Sequence, residues 1–112
     1  DLDSTINLGN INISIDNIDE LLASGKPLML DFSASWCGPC KRLAPIVDAL
    51  DEKYADQVII GKIDIEEEED LATKYGIRNV PTILFIKDNT IVDKQVGLCK
   101  PAELEDKLKA IL

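Results

Sequence analysis

Leu28-Met29-Leu30-Asp31-Phe32-Ser33-Ala34-Ser35-Trp36-Cys37-Gly38-Pro39-Cys40-Lys41 joins a nearly unbroken apolar run to two thiols three positions apart. The run from Leu28 to Ser33 is bounded by turn signals, as expected of a central strand buried on both faces, and Asp31 is its odd residue. Downstream, Leu43, Val47, Leu50 and Tyr54 recur at helical spacing. That predicts one amphipathic helix from Cys37 to Tyr54, bent where Pro45 lacks its N–H. The strand therefore delivers its thiols to a helix N-terminus.

Upstream, Ile11 to Ile15 alternates with period two and reads as a strand, after which Asp16 caps a short helix with Ile18, Leu21 and Leu22 on one face and Gly25 at its end. Further along, Val58 to Ile65 reads as a second buried strand, Asp70 to Tyr75 as a short helix closed by Gly76, and Thr82 to Ile86 as a third strand. Asp88-Asn89 tolerates positive φ and turns the chain into Thr90 to Val96, forming a hairpin. Pro101 opens a last helix carrying Leu104, Leu108, Ile111 and Leu112. Helical crossovers between the early strands demand parallel pairing, and the late hairpin demands an antiparallel pair. The expected fold is α/β: one domain over residues 1–112, with a mixed, mostly parallel five-stranded sheet flanked by about four helices. Functional groups in such sheets collect at the carboxyl ends of the strands, where Cys37 lies.

Composition narrows the function. Among 112 residues, 46% are hydrophobic and 29% charged, which predicts an ordered, soluble domain. Twenty-one acidic residues against twelve basic ones give a net charge of −9. That charge disfavours nucleic acid and anionic lipid as partners. No apolar stretch approaches the roughly 20 residues of a spanning helix. The chain starts at Asp1 without Met. The expected compartment is the cytoplasm, with a periplasmic or secreted location left open by a processed N-terminus.

Three cysteines, Cys37, Cys40 and Cys99, are too few for a disulfide scaffold, and no histidine is present. A zinc site would have to borrow Cys99 together with a carboxylate or a second chain. A purely structural Cys37–Cys40 bridge would close so short a loop that it removes little entropy from the unfolded chain. Redox chemistry is the remaining use of the pair.

Trp36-Cys37-Gly38-Pro39-Cys40-Lys41 resembles the active-site sequence of the thioredoxin family, and the similarity runs over nearly the whole chain. It includes Asp31-Phe32, Pro45, Lys62, the run Lys74-Tyr75-Gly76-Ile77-Arg78-Asn79-Val80-Pro81-Thr82, and Val96-Gly97. The resemblance implies the thioredoxin fold and a protein-disulfide reductase working by dithiol–disulfide exchange. It implies no bound cofactor beyond the redox-active Cys37–Cys40 disulfide. It also implies protein substrates, an NADPH-dependent thioredoxin reductase as recycling partner, and a monomer. By the same resemblance Val80-Pro81 is a cis bond against the disulfide, and Val80, Pro81, Gly97 and Leu98 form an apolar collar for an extended substrate peptide.

Physical chemistry assigns roles beside that resemblance. Cys37 is the expected attacking thiol, because helix N-terminal N–H groups favour a thiolate. Cys40, one turn further on the same side, is the expected resolving thiol. Gly38 and Pro39 set the turn between them, and Gly-Pro is similar to the reducing type. Asp31 is costly in a buried strand unless neutral, hydrogen-bonded or paired; Lys62 in the next apolar run is its expected partner, and a raised pKa would suit Asp31 to take the Cys40 proton. Trp36 is expected to cover an exposed reactive pair and to help contact substrate.

Three departures from the family pattern stand out. Ser33 replaces a second tryptophan, Asn89 replaces a turn glycine, and Cys99 is unusual and reads as a small buried hydrophobe. The run Glu66 to Asp70 reads as a solvated helix start. Two other functions remain open at this stage: a binding subunit using the fold as a scaffold, and an extracytoplasmic oxidase or isomerase.

Overall fold

The computed structural model describes residues 11–13 and 16–112. In chain order the elements are β1 (Ile11–Asn12), α1 (Ile18–Ala23), β2 (Leu28–Ser33), α2 (Gly38–Tyr54), β3 (Ile59–Asp64), α3 (Glu69–Lys74), β4 (Thr82–Lys87), β5 (Thr90–Val96) and α4 (Pro101–Lys109). Of the first expected strand, Ser14 and Ile15 lie outside the described residues. Asn17 rather than Asp16 is the N-cap of α1, so the helix starts one residue later than the sequence suggested; both are favoured capping types. The last helix ends at Lys109, leaving Ile111 buried beyond it and Leu112 exposed.

The sheet order is β1-β3-β2-β4-β5. Four strands are six or seven residues long, and β1 contributes only two at the edge. The sheet is mixed, as expected, with β4 running against the other four strands. β1 and β2 pair parallel with β3, but β4 pairs antiparallel with both β2 and β5. After α3 the chain re-enters the sheet at the end where β2 finishes, with Thr82 beside Phe32.

Alternation along the strands divides the core into two layers. Met29, Ile60, Ile83 and Phe85 pack with Leu43, Val47, Leu50 and Tyr54 of α2 and Leu104 and Leu108 of α4. Leu28, Leu30, Phe32, Ile63, Leu84 and Ile86 pack on the other face with Ile18 and Leu71. By the same alternation Asp31 and Lys62 project from the face covered by α2. Pro45 lies inside α2 without ending it. The hairpin turn matches its sequence signal, with φ of 52° at Asp88 and 64° at Asn89.

Candidate active site

The loop leaving β2 turns at Ala34, whose carbonyl accepts the Cys37 N–H at 3.1 Å, and Cys37 becomes the N-cap of α2. Gly38 and Pro39 fill the first two helical positions, where Pro39 forfeits no needed hydrogen bond. Cys37 and Cys40 are joined by a disulfide with their Cα atoms 5.3 Å apart. The Cys40 N–H donates to Cys37 Sγ at 3.1 Å. A capping sulfur thus accepts one of the orphan donors of the helix end, a contact that strengthens when the sulfur is a thiolate.

The disulfide is less open than the sequence suggested. Cys37 is 4% exposed and Cys40 7%, and the pair forms a small buried cluster with Ala34, with Ile65 and Val80 packed alongside. Trp36, in contrast, is 64% exposed and is no part of the core. The Val80–Pro81 peptide bond is cis, as the family resemblance implied. Gly97, at φ +83°, donates its N–H to the Pro81 carbonyl at 2.9 Å, which fixes the β5 end against the Val80-Pro81 turn. Leu98, next in the chain, is exposed, as is Val96. Val80 packs against the cysteine cluster, and Gly97 is tied to its neighbour Pro81.

A charge cluster lies between β2, β3 and α2. Asp31 is 4% exposed, its Oδ1 has no hydrogen-bond partner, and burial pushes its pKa from 3.8 up to about 6, with Lys62 pulling it down and Asp48 pushing it further up. Asp31 and Lys62 stand side by side in the β2–β3 register. The expected Asp31–Lys62 ion pair is nonetheless replaced by another: Lys62 Nζ lies 2.5 Å from Asp48 Oδ1 on α2. A lysine stem is long enough to carry its ammonium past a buried strand neighbour to a carboxylate closer to water, where the charge loses less hydration.

Sequence reasoning passed over Asp48 and Asp51. The signal was present for Asp51, which stands four residues after buried Val47 and is itself 3% exposed. Ser33 is half-buried, and Glu66 to Asp70 lead into α3 largely exposed. Cys99 is a free thiol, partly rather than fully buried against the α2–α4 layer, and burial followed by the Glu103 carboxylate pushes its pKa up. In the reduced protein, iodoacetamide at neutral pH should therefore modify Cys37 well before Cys99. Peptide mass mapping over time checks the order, and faster labelling of Cys99 would mark it as the reactive thiol.

A cysteine pair that closes at a helix N-cap, at the carboxyl end of a central strand, defines a thiol–disulfide oxidoreductase. The sequence model of the Thioredoxin family matches residues 10–110, and the chain belongs to that family. It is 42% identical over 89 residues to thioredoxin 1 of Synechococcus elongatus, covering 80% of this chain and 83% of that protein. It is 40% identical over 95 residues to thioredoxin C-2 of Corynebacterium nephridii, covering 84% and 88%. Among solved structures, a mutant thioredoxin from Halobacterium salinarum superimposes with a TM-score of 0.84 at 31% identity, covering 93% of this chain and 91% of that one.

Proposed function

We propose that residues 1–112 work as a single monomeric thioredoxin domain that reduces protein disulfides, with Cys37 as nucleophile and Cys40 as resolving thiol. The observation that carries the assignment is the asymmetry of the pair: Cys37 Sγ caps α2 and accepts the Cys40 N–H, whereas Cys40 lies inside the first turn. The Cys37 thiolate attacks one sulfur of the substrate disulfide, forms a mixed disulfide and releases the other sulfur as a thiolate. Cys40 gives its proton to Asp31, attacks Cys37 Sγ and releases the second substrate thiolate. Two electrons pass to the substrate and the Cys37–Cys40 disulfide remains, which is the state described above.

Lys62 tunes the Asp31 carboxyl by its charge. Trp36, Gly38, Pro39, Val80, Pro81, Gly97 and Leu98 receive an extended stretch of substrate around its disulfide, through apolar contact and backbone hydrogen bonds. Contacts of that kind leave the neighbouring side chains of the substrate largely unspecified. The chemistry needs no bound cofactor, and the two electrons that reopen the pair come from an NADPH-dependent thioredoxin reductase. Among the described residues no helix is long and apolar enough to cross a membrane; the cytoplasm is a compartment that suits a reducing role.

Equilibration with a graded dithiothreitol or glutathione series, read by alkylation of free thiols, tests the direction of electron flow. The expected potential lies near about −270 mV, a value taken from thioredoxin in general and not from the geometry of this chain. A potential above about −180 mV would instead make the pair an oxidant or isomerase.

A further inference from the structure

The proton chemistry just proposed uses Asp31 and leaves a second buried carboxylate unused. Asp51 is 3% exposed, and its Oδ2 has no hydrogen-bond partner. It stands one helical turn after Asp48 on α2, the helix that Cys37 opens, and so on the side from which Asp48 meets Lys62. Lys62 is in register with Asp31, yet it reaches to α2 instead. One cation therefore faces three carboxylates: Asp31 from β2, and Asp48 and Asp51 from α2. The remaining charge acting on Asp51 is Glu52, exposed on the same helix.

We propose that Asp51 is a positioning residue for proton transfer at Asp31: with Asp48 it draws the Lys62 ammonium to α2 and so limits the positive charge that Asp31 receives. Coulombic attraction to two adjacent carboxylates outweighs attraction to one; Asp48 is half exposed, but Asp51 is buried, where its charge is less screened. Asp31 consequently keeps its proton to a higher pH than it would beside an undivided lysine. The Asp51 carboxyl is itself pushed up to about 6, by burial first and Asp48 second, with Lys62 opposing. Its influence therefore switches on as it ionises across the pH range in which Asp31 titrates.

The inference about catalysis rests on Asp31 being the proton acceptor, so the experiment separates the two. The Asp31 carboxyl carbon is titrated by NMR in the oxidised protein and in its Asp51→Asn and Glu52→Gln variants. The Asp31 midpoint should fall by about half a pH unit in Asp51→Asn and stay in place in Glu52→Gln, which removes the same charge from the outer face of the helix. Equal movement in both variants, or none in either, overturns the proposal. Should Asp51→Asn fold poorly, Asp51→Ser serves the same comparison. The pH profile of mixed-disulfide resolution in single turnover is then measured in the same variant. A profile displaced along with the NMR midpoint supports both ideas. An unmoved profile beside a moved midpoint supports the coupling and overturns Asp31 as acceptor.

Discussion

Cys37→Ser should reduce disulfide-reductase turnover to background, a loss of about a thousandfold or more, whereas Cys40→Ser should stop the reaction halfway and leave a covalent adduct. The two losses look alike in steady state, so the informative measurement is the protein mass on a non-reducing gel after mixing with a disulfide substrate. The difference follows from where each sulfur sits. Cys37 Sγ accepts the Cys40 N–H at the end of α2, so its anion is held by a backbone donor and by the helix N-terminus together. In Cys40→Ser that arrangement survives, because the donor is the backbone of residue 40 and not its side chain. Attack proceeds, but a serine hydroxyl at position 40 is too weak a nucleophile to resolve the mixed disulfide. In Cys37→Ser the remaining thiol lies inside the helix without a cap contact, and no adduct should accumulate. Accumulation in Cys37→Ser and none in Cys40→Ser would reverse the assigned roles.

The strand and helix periodicities were legible because each element buries one clear face or both. β2 and β4 are buried along five consecutive residues each, and α2 places Leu43, Val47, Leu50 and Tyr54 inward as their spacing requires. Pairing direction was less legible. It depends on which end of the sheet the chain reaches after α3, a three-dimensional property that no residue pattern states. The cysteines were legible as a redox pair, but their burial was not, since the cover comes from Val80, far along the chain. The Lys62 partner was misjudged for a related reason. Strand register puts Lys62 beside Asp31, while side-chain reach and hydration decide that it meets Asp48. Asp51 was overlooked because attention to apolar spacing passes over an acid standing in an apolar position.

Replacement of Asp31 by Asn should make the protein relatively more stable as pH rises and slower in its second exchange step. The carboxyl has a folded pKa of about 6 against an ordinary value of 3.8. The folded state therefore holds its proton through a window in which the unfolded chain has already released one. Stability falls as pH increases from about 4 to about 6, by about 3 kcal/mol in all, and the loss persists at higher pH. Asp51, likewise raised to about 6, adds a fall in the same window, so the wild-type slope has two sources and Asp31→Asn removes one. A neutral Asn resembles protonated Asp in size and polarity, so burying its amide costs a similar amount at every pH. That constant cancels when urea unfolding of variant and wild type is compared at pH 4 and again at pH 8. The difference between the two comparisons should be about 2 to 3 kcal/mol in favour of the variant at high pH; equal differences at both pH values would mean that Asp31 titrates normally. The same substitution removes the proposed acceptor for the Cys40 proton, so resolution in single turnover should slow near neutral pH, where the carboxylate would otherwise be available. A stabilised variant that resolves at the wild-type rate with an unchanged pH profile would leave Asp31 as a purely structural residue. A stabilised but slow variant would show that the buried carboxylate is retained at the expense of stability because the second exchange needs it.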